Sequence, residues 1–156
     1  MNDQYALMMT KFALLDGFTV AGAHMLLESG EVKDYGPGEV LFREGDAAMF
    51  VLLVLGGKLQ VFVERRGRDL VIREVGPGTI IGELAVLCGS SRSASVRAAE
   101  KSVVLQWGAQ AFRVMLLRHQ LLSERVLKHA LDTMVERERA LVAALIDAQD
   151  NHKKAP

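Results

Sequence analysis

The sequence predicts an α+β fold that is mainly β: an antiparallel β-sandwich or barrel, with short helices before it and two helices after it. Three observations carry this. Between Val32 and Trp107, apolar residues recur at every second position, as at Val40 and Phe42, at Leu59, Val61 and Val63, and at Val103 and Leu105. That is the period at which a strand presents one face to a core. These segments are separated by Gly36-Pro37-Gly38, Gly56-Gly57, Arg65-Arg66-Gly67 and Gly76-Pro77-Gly78, turn sequences in which glycine reaches positive φ and proline presets a corner. On both sides of this stretch the apolar spacing becomes helical.

The elements follow in order. Residues 5–30 place Leu14, Leu15, Phe18, Met25 and Leu26 at helical spacing, interrupted by Gly17, Gly22 and Gly30, which gives short helices. Residues 32–107 form the β unit. From Trp107 to Pro156 the only glycine is Gly108 and no proline intervenes. Apolar residues recur there from Phe112 and Met115 through Leu121, Leu122, Val126 and Leu131 to Leu145, so 109–148 reads as a shorter helix and then a long one. Residues 149–156 are polar and read as a flexible tail. Residues 1–148 are thus expected to be one domain, as a length of 156 residues suits a single core.

Composition narrows the function. With 19 basic and 19 acidic side chains the net charge is zero, so there is no electrostatic footprint for nucleic acid or an anionic membrane. The start, Met1-Asn2-Asp3-Gln4, lacks the basic region of a secretory signal, and Lys11 breaks the apolar stretch Leu7–Leu15. No segment is long and apolar enough for a membrane span. Cytoplasmic residence is expected. Cys88 is the single cysteine, and His24, His119, His129 and His152 are scattered, which argues against a disulfide, a metal site, a cofactor and an enzyme. Cys88 reads as a small, partly buried residue and Trp107 as a core residue at the end of a strand.

The informative segment is Ile81-Gly82-Glu83-Leu84-Ala85-Val86-Leu87-Cys88-Gly89-Ser90-Ser91-Arg92-Ser93-Ala94-Ser95-Val96. Leu84 to Leu87 can form one helical turn whose free N–H groups face an anion, and Gly82 permits close backbone approach. Arg92 can neutralise a phosphate with its two-pronged guanidinium, while Glu83 can accept a hydrogen bond from a ribose hydroxyl. Either residue alone would be an ordinary surface charge; the order and spacing carry the weight.

Gly82-Glu83-Leu84-Ala85 followed by Arg92-Ser93-Ala94 resembles the phosphate-binding cassette of cyclic-nucleotide-binding domains. Such domains occur in the catabolite activator protein, protein kinase A regulatory subunits and cyclic-nucleotide-regulated channels. The resemblance extends to Gly38-Glu39-Val40-Leu41-Phe42-Arg43-Glu44-Gly45-Asp46, Gly56-Gly57-Lys58 and Gly76-Pro77-Gly78. It implies a jelly-roll-like β-barrel (a double-stranded β-helix) with a cassette helix. Glu83 would hold the ribose 2′-hydroxyl and Arg92 the cyclic phosphate, helped by Gly82, Leu84, Ala85, Ser93 and Ala94. Ile81 and Ser91 depart from the usual aromatic and proline at those positions. The base would pack on Val61 and Ile72 and face Arg137 and Glu138 of the last helix, where this chain lacks the hydroxyl pair of the catabolite activator protein. Ser93 could meet a guanine edge or assist the phosphate. Cyclic AMP is the expected ligand and cyclic GMP the alternative.

The expected function is a stand-alone nucleotide sensor that moves its C-terminal helix and meets a protein partner. The alternatives are a sensing piece of a larger transcription factor or channel and, disfavoured for want of catalytic groups, a cyclic-nucleotide hydrolase. No helix-turn-helix segment follows Leu145 in this sequence. Leu127, Leu131, Met134, Glu138, Leu141, Leu145 and Ala148 alternate steps of four and three, the heptad pattern of paired helices. This predicts a parallel homodimer through residues 127–148, with Glu138 reaching Arg137 or Arg139 across the seam. The competing expectation is that the first half of this stripe faces the chain's own barrel.

Overall fold

Phe50 to Gly56 reads FVLLVLG, an unbroken apolar run rather than an alternation. Such a run suits a strand covered on both faces. A computed structural model describes residues 1–154 and places this strand in the middle of three layers. The helices are α1 (Asn2–Met9), α2 (Val20–Glu28), α3 (Glu83–Cys88), α4 (Ala109–Arg118) and α5 (Gln120–Lys153), with a 3-10 turn at Ala13–Leu15. The strands are β1 (Glu31–Tyr35), β2 (Val40–Phe42), β3 (Phe50–Gly56), β4 (Leu59–Arg65), β5 (Arg68–Val75), β6 (Ile80–Ile81), β7 (Ser95–Ala98) and β8 (Ser102–Gly108).

The strands form two antiparallel four-stranded sheets, ordered β1-β8-β3-β6 and β2-β7-β4-β5. Opposite residues in an antiparallel ladder share a face. Val51 opposite Trp107 and Leu53 opposite Leu105 therefore look one way, toward Met9, Leu26, Phe112, Leu122 and Val126 of the helices. Val54 opposite Val104 and Leu52 opposite Ile81 look the other way, onto Leu59, Val61, Val96 and Ala98 of the second sheet.

The mainly antiparallel β architecture with flanking helices is as expected, but the two sheets do not close into a single barrel. The chain passes between them at Gly36-Pro37-Gly38 and Gly76-Pro77-Gly78, where Gly38 and Gly78 have φ of +83° and +87°. Proline has no N–H to extend a ladder, and a left-handed residue turns the strand away. Gly57 is similarly constrained, since at φ +79° a Cβ would collide with Lys101 O and Ser102.

Helix α2 begins at Thr19, whose hydroxyl accepts from Gly22 N at 3.0 Å, an N-cap contact. Trp107 pins that helix to the first sheet: it is 2% exposed, and its Nε1 donates to Leu26 O at 2.9 Å and Ser29 Oγ at 3.2 Å. Helix α5 runs on to Lys153, past the boundary expected at 148, because nothing from Asp147 to Lys153 breaks a helix. Of the expected tail, Ala155 and Pro156 lie outside the described residues. The helix has 34 residues, roughly 50 Å at 1.5 Å per residue. Its buried residues are Leu122, Val126, Ala130 and Thr133, so its second half projects beyond the sheets.

Replacing Trp107 with Phe keeps an aromatic ring but leaves Leu26 O without its indole donor. A loss of about 2 kcal/mol is expected in urea melts; unchanged stability would show that the indole hydrogen bond does not hold α2 to the sheet.

Candidate functional site

Strand β6 ends at Ile81, Gly82 turns the chain at φ +83°, and α3 runs from Glu83 until Gly89 closes it at φ +65°. Gly82 has a second reason to be glycine: a Cβ there would run into the Arg92 guanidinium. Arg92 is only 3% exposed. Its backbone is fixed by Arg92 N donating to Asp46 O and Gly45 N donating to Arg92 O, both at 2.9 Å. Its Nη1 donates to Gly82 O at 3.1 Å and its Nη2 to Phe50 O at 2.5 Å. The guanidinium carbon lies 4.0 Å from the Phe42 ring centre and 5.0 Å from that of Phe50, within cation–π range. Nε is buried with no hydrogen-bond partner among the described residues. Burial lowers the Arg92 pKa, opposed by Asp46 and Glu83.

Glu83 is 4% exposed. Burial pushes its carboxyl above the ordinary carboxylate range, while its own backbone N–H and the nearby His129, Arg73 and Arg137 draw it back down. Arg73, on β5, has its pKa lowered by burial first and by Arg137 second. Glu83, Arg73, Arg92 and Arg137 surround a narrow cavity of about 50 Å³, lined by all seven expected cassette residues, Gly82, Glu83, Leu84, Ala85, Arg92, Ser93 and Ala94, with Val61. A cleft of about 430 Å³ adjoins it, sharing Val61, Arg73, Ser93, Ala94 and Arg137 and adding Ile72, Thr133, Glu136 and Leu141.

Two of the expected base-facing residues sit differently. Glu138 lines neither space. The inward stripe of α5 is Val126, Ala130, Thr133 and then Arg137, and one further residue turns a helix by about 100°, which puts Glu138 on the outer face. Ile72 is 58% exposed and touches only the outer cleft. Strand β5 bulges there: Val61 opposes Arg73 and Phe62 opposes Val71, so Ile72 is the extra residue and Arg73 faces inward.

Residues that the sequence did not mark as site residues also line the site: Arg73, Phe42, Thr133 and Glu136. Thr133 supplies a hydroxyl one turn before Arg137, and its place on the stripe of Val126 and Ala130 was the available signal. The bulge behind Arg73 left no mark in the sequence. Cys88 is exposed rather than partly buried, because it lies in the last turn of α3 on the side away from the core. Among the described residues, no group of three His, Cys, Asp or Glu could hold a metal ion, and no helix is long and apolar enough to cross a membrane.

Residues 32–119 match the family model of the cyclic nucleotide-binding domain. The chain is similar to the acetyltransferase Pat of Mycolicibacterium smegmatis, at 36% identity over 51% of this chain and 24% of that protein. It is also similar to the cAMP-dependent protein kinase regulatory subunit of Blastocladiella emersonii, at 34% identity over 56% of this chain and 22% of that protein. Among solved structures it resembles the Thermus thermophilus catabolite activator protein, with a TM-score of 0.72 and 26% identity, over 86% of this chain and 62% of that one. The chain thus spans about a quarter of the length of these two curated relatives, which include an enzyme carrying a matching domain.

Because the folded-state pKa of Glu83 lies above the ordinary value, the ionised carboxylate costs stability. That cost is absent below the ordinary carboxylate range and grows as pH rises through the folded-state value. Glu83→Gln should therefore melt higher than the parent protein at neutral pH, by about 1–2 kcal/mol, with the gap closing in acid. An equal gap at both pH values would show that burial of the charge is not what is being relieved.

Proposed function

From the premise that this chain belongs to the cyclic-nucleotide-binding domain family, whose model spans more than half of it, we propose that it binds a cyclic mononucleotide, cyclic AMP in preference to cyclic GMP, and relays binding through α5. The observation that carries the reading is the pairing of a buried guanidinium with a buried carboxylate on one cavity. Arg92 Nε and the first-turn N–H groups of α3, which have no intrahelical acceptor, supply donors for the cyclic phosphate. The Glu83 carboxylate accepts from the ribose 2′-hydroxyl. The base lies in the adjoining cleft, against Val61 on one side and Thr133 and Arg137 of α5 on the other. The preference for cyclic AMP draws on the name of the kinase regulatory relative. Ser93, shared by cavity and cleft, is placed to assist the phosphate or a guanine edge, which keeps cyclic GMP as the alternative.

In this reading the domain is a cytoplasmic binding module, not an enzyme, and needs no cofactor. Its output passes to a partner protein or, if the domain is a piece of a larger transcription factor or channel, to the rest of that protein. The outer stripe of α5 supports a parallel homodimer as part of the output. Leu127, Leu131, Met134 and Leu145 are 48–63% exposed and line neither the cavity nor the cleft, so the stripe is not spent on the chain's own sheets, not even its first half, while Leu141, 65% exposed, also borders the cleft. Glu138 lies on that outer face, as a seam position requires.

Calorimetric titration with cyclic AMP and cyclic GMP tests the binding. The parent protein is expected to bind, and Arg92→Ala to bind at least about a hundredfold more weakly, with circular dichroism confirming that the variant is folded. Parent-like affinity in that variant would remove the cassette assignment. Light scattering tests the assembly: a dimer mass is expected, reduced to a monomer by Leu141→Glu combined with Leu145→Glu. A dimer that survives both substitutions lies elsewhere.

A further inference from the structure

His129 is the histidine that α5 turns inward, and its surroundings give it a defined task. Its Nε2 is buried, has no hydrogen-bond partner among the described residues, and lies 3.6 Å from Glu83 Oε1. Glu83 lines the cavity and His129 does not; the imidazole borders a separate hollow with Ala13, Leu14, Gly78 and Thr79. The carboxylate therefore stands between the cavity and the imidazole, and one small rotation brings Nε2 into hydrogen-bond range.

We propose that His129 is a positioning residue for nucleotide recognition: from behind, it orients the Glu83 carboxylate and keeps it ionised, so that the ribose hydroxyl meets a charged acceptor, and it thereby ties α5 to ribose occupancy. The inference rests on the reading that Glu83 receives the ribose. An ionised carboxylate accepts the hydroxyl hydrogen bond more strongly than a protonated one, and burial works against ionisation here. Arg73 and Arg137 act on the same carboxylate from the cavity side. Around His129, the 3-10 turn and the Gly76-Pro77-Gly78 corner present only the uncharged Ala13, Leu14, Gly78 and Thr79, while α5 itself presents Arg125, Lys128 and Asp132. Lys128 pairs with Asp132 at 2.6 Å, and Arg125 with Asp16 at 3.7 Å. Glu83 is accordingly the carboxylate left to the imidazole.

The test is calorimetry with cyclic AMP and 2′-deoxy-cyclic AMP, or the corresponding cyclic GMP pair if that binds more tightly. A residue that acts on the Glu83 carboxylate changes the preference for the 2′-hydroxyl form, which a merely structural residue leaves as it is. The parent protein should prefer the 2′-hydroxyl form, His129→Leu should lose about tenfold of that preference, and His129→Lys, which restores a donor facing the carboxylate, should keep it. A folded His129→Leu variant that keeps the parent preference, or a His129→Lys variant that loses as much of it, overturns the inference. Failure of the parent protein to bind any cyclic nucleotide would instead overturn the proposed function.

Discussion

Keeping the Arg92 guanidinium out of water requires acceptors and aromatic faces from separate parts of the chain, and much of the site follows from meeting that requirement. Phe50 O on β3 and Gly82 O at the head of α3 take its two terminal nitrogens, and Phe42 on β2 covers its face. A buried cation is tolerated only with such partners. The backbone of Arg92 itself is tied to Gly45 and Asp46, and Gly82 must lack a side chain. Nε is the nitrogen of this group for which the described residues offer no acceptor.

Charge around the cavity is lopsided, with Arg73, Arg92 and Arg137 against the buried Glu83. Arginines converging on one space repel one another, and Arg137 adds to burial in lowering the Arg73 pKa. Under the proposed function an anion placed among them would relieve that repulsion, and because Arg137 belongs to α5, binding would be linked to helix position through electrostatics at the same few residues.

Helix α5 serves two surfaces at once. Leu122, Val126, Ala130 and Thr133 bury against the domain, while Leu127, Leu131, Met134, Leu141 and Leu145 are exposed. Under the proposed function, with one face on the cleft and the other on a second copy, such a helix would pass on a small rotation, since both faces turn together.

The sequence alone determined the strand period, the glycine and proline corners, the helical flanks and the cassette from Gly82 to Ala94, because these are set by local backbone preference and by contiguous spacing. The seven cassette residues expected on one cavity are all found there. Tertiary structure decided the rest. Periodicity shows that α5 has an apolar stripe but not which of its two stripes meets the sheets, and a rotation of one residue exchanges Arg137 for Glu138. A bulge at Ile72 reverses which side chains of β5 face inward, bringing Arg73 to the cavity. The split into two sheets depended on where ladders end, and the meeting of His129 with Glu83 joins residues 46 positions apart. Such pairings are settled only when packing fixes the rotation of each element against its neighbours, and that information lies between segments rather than within any one of them.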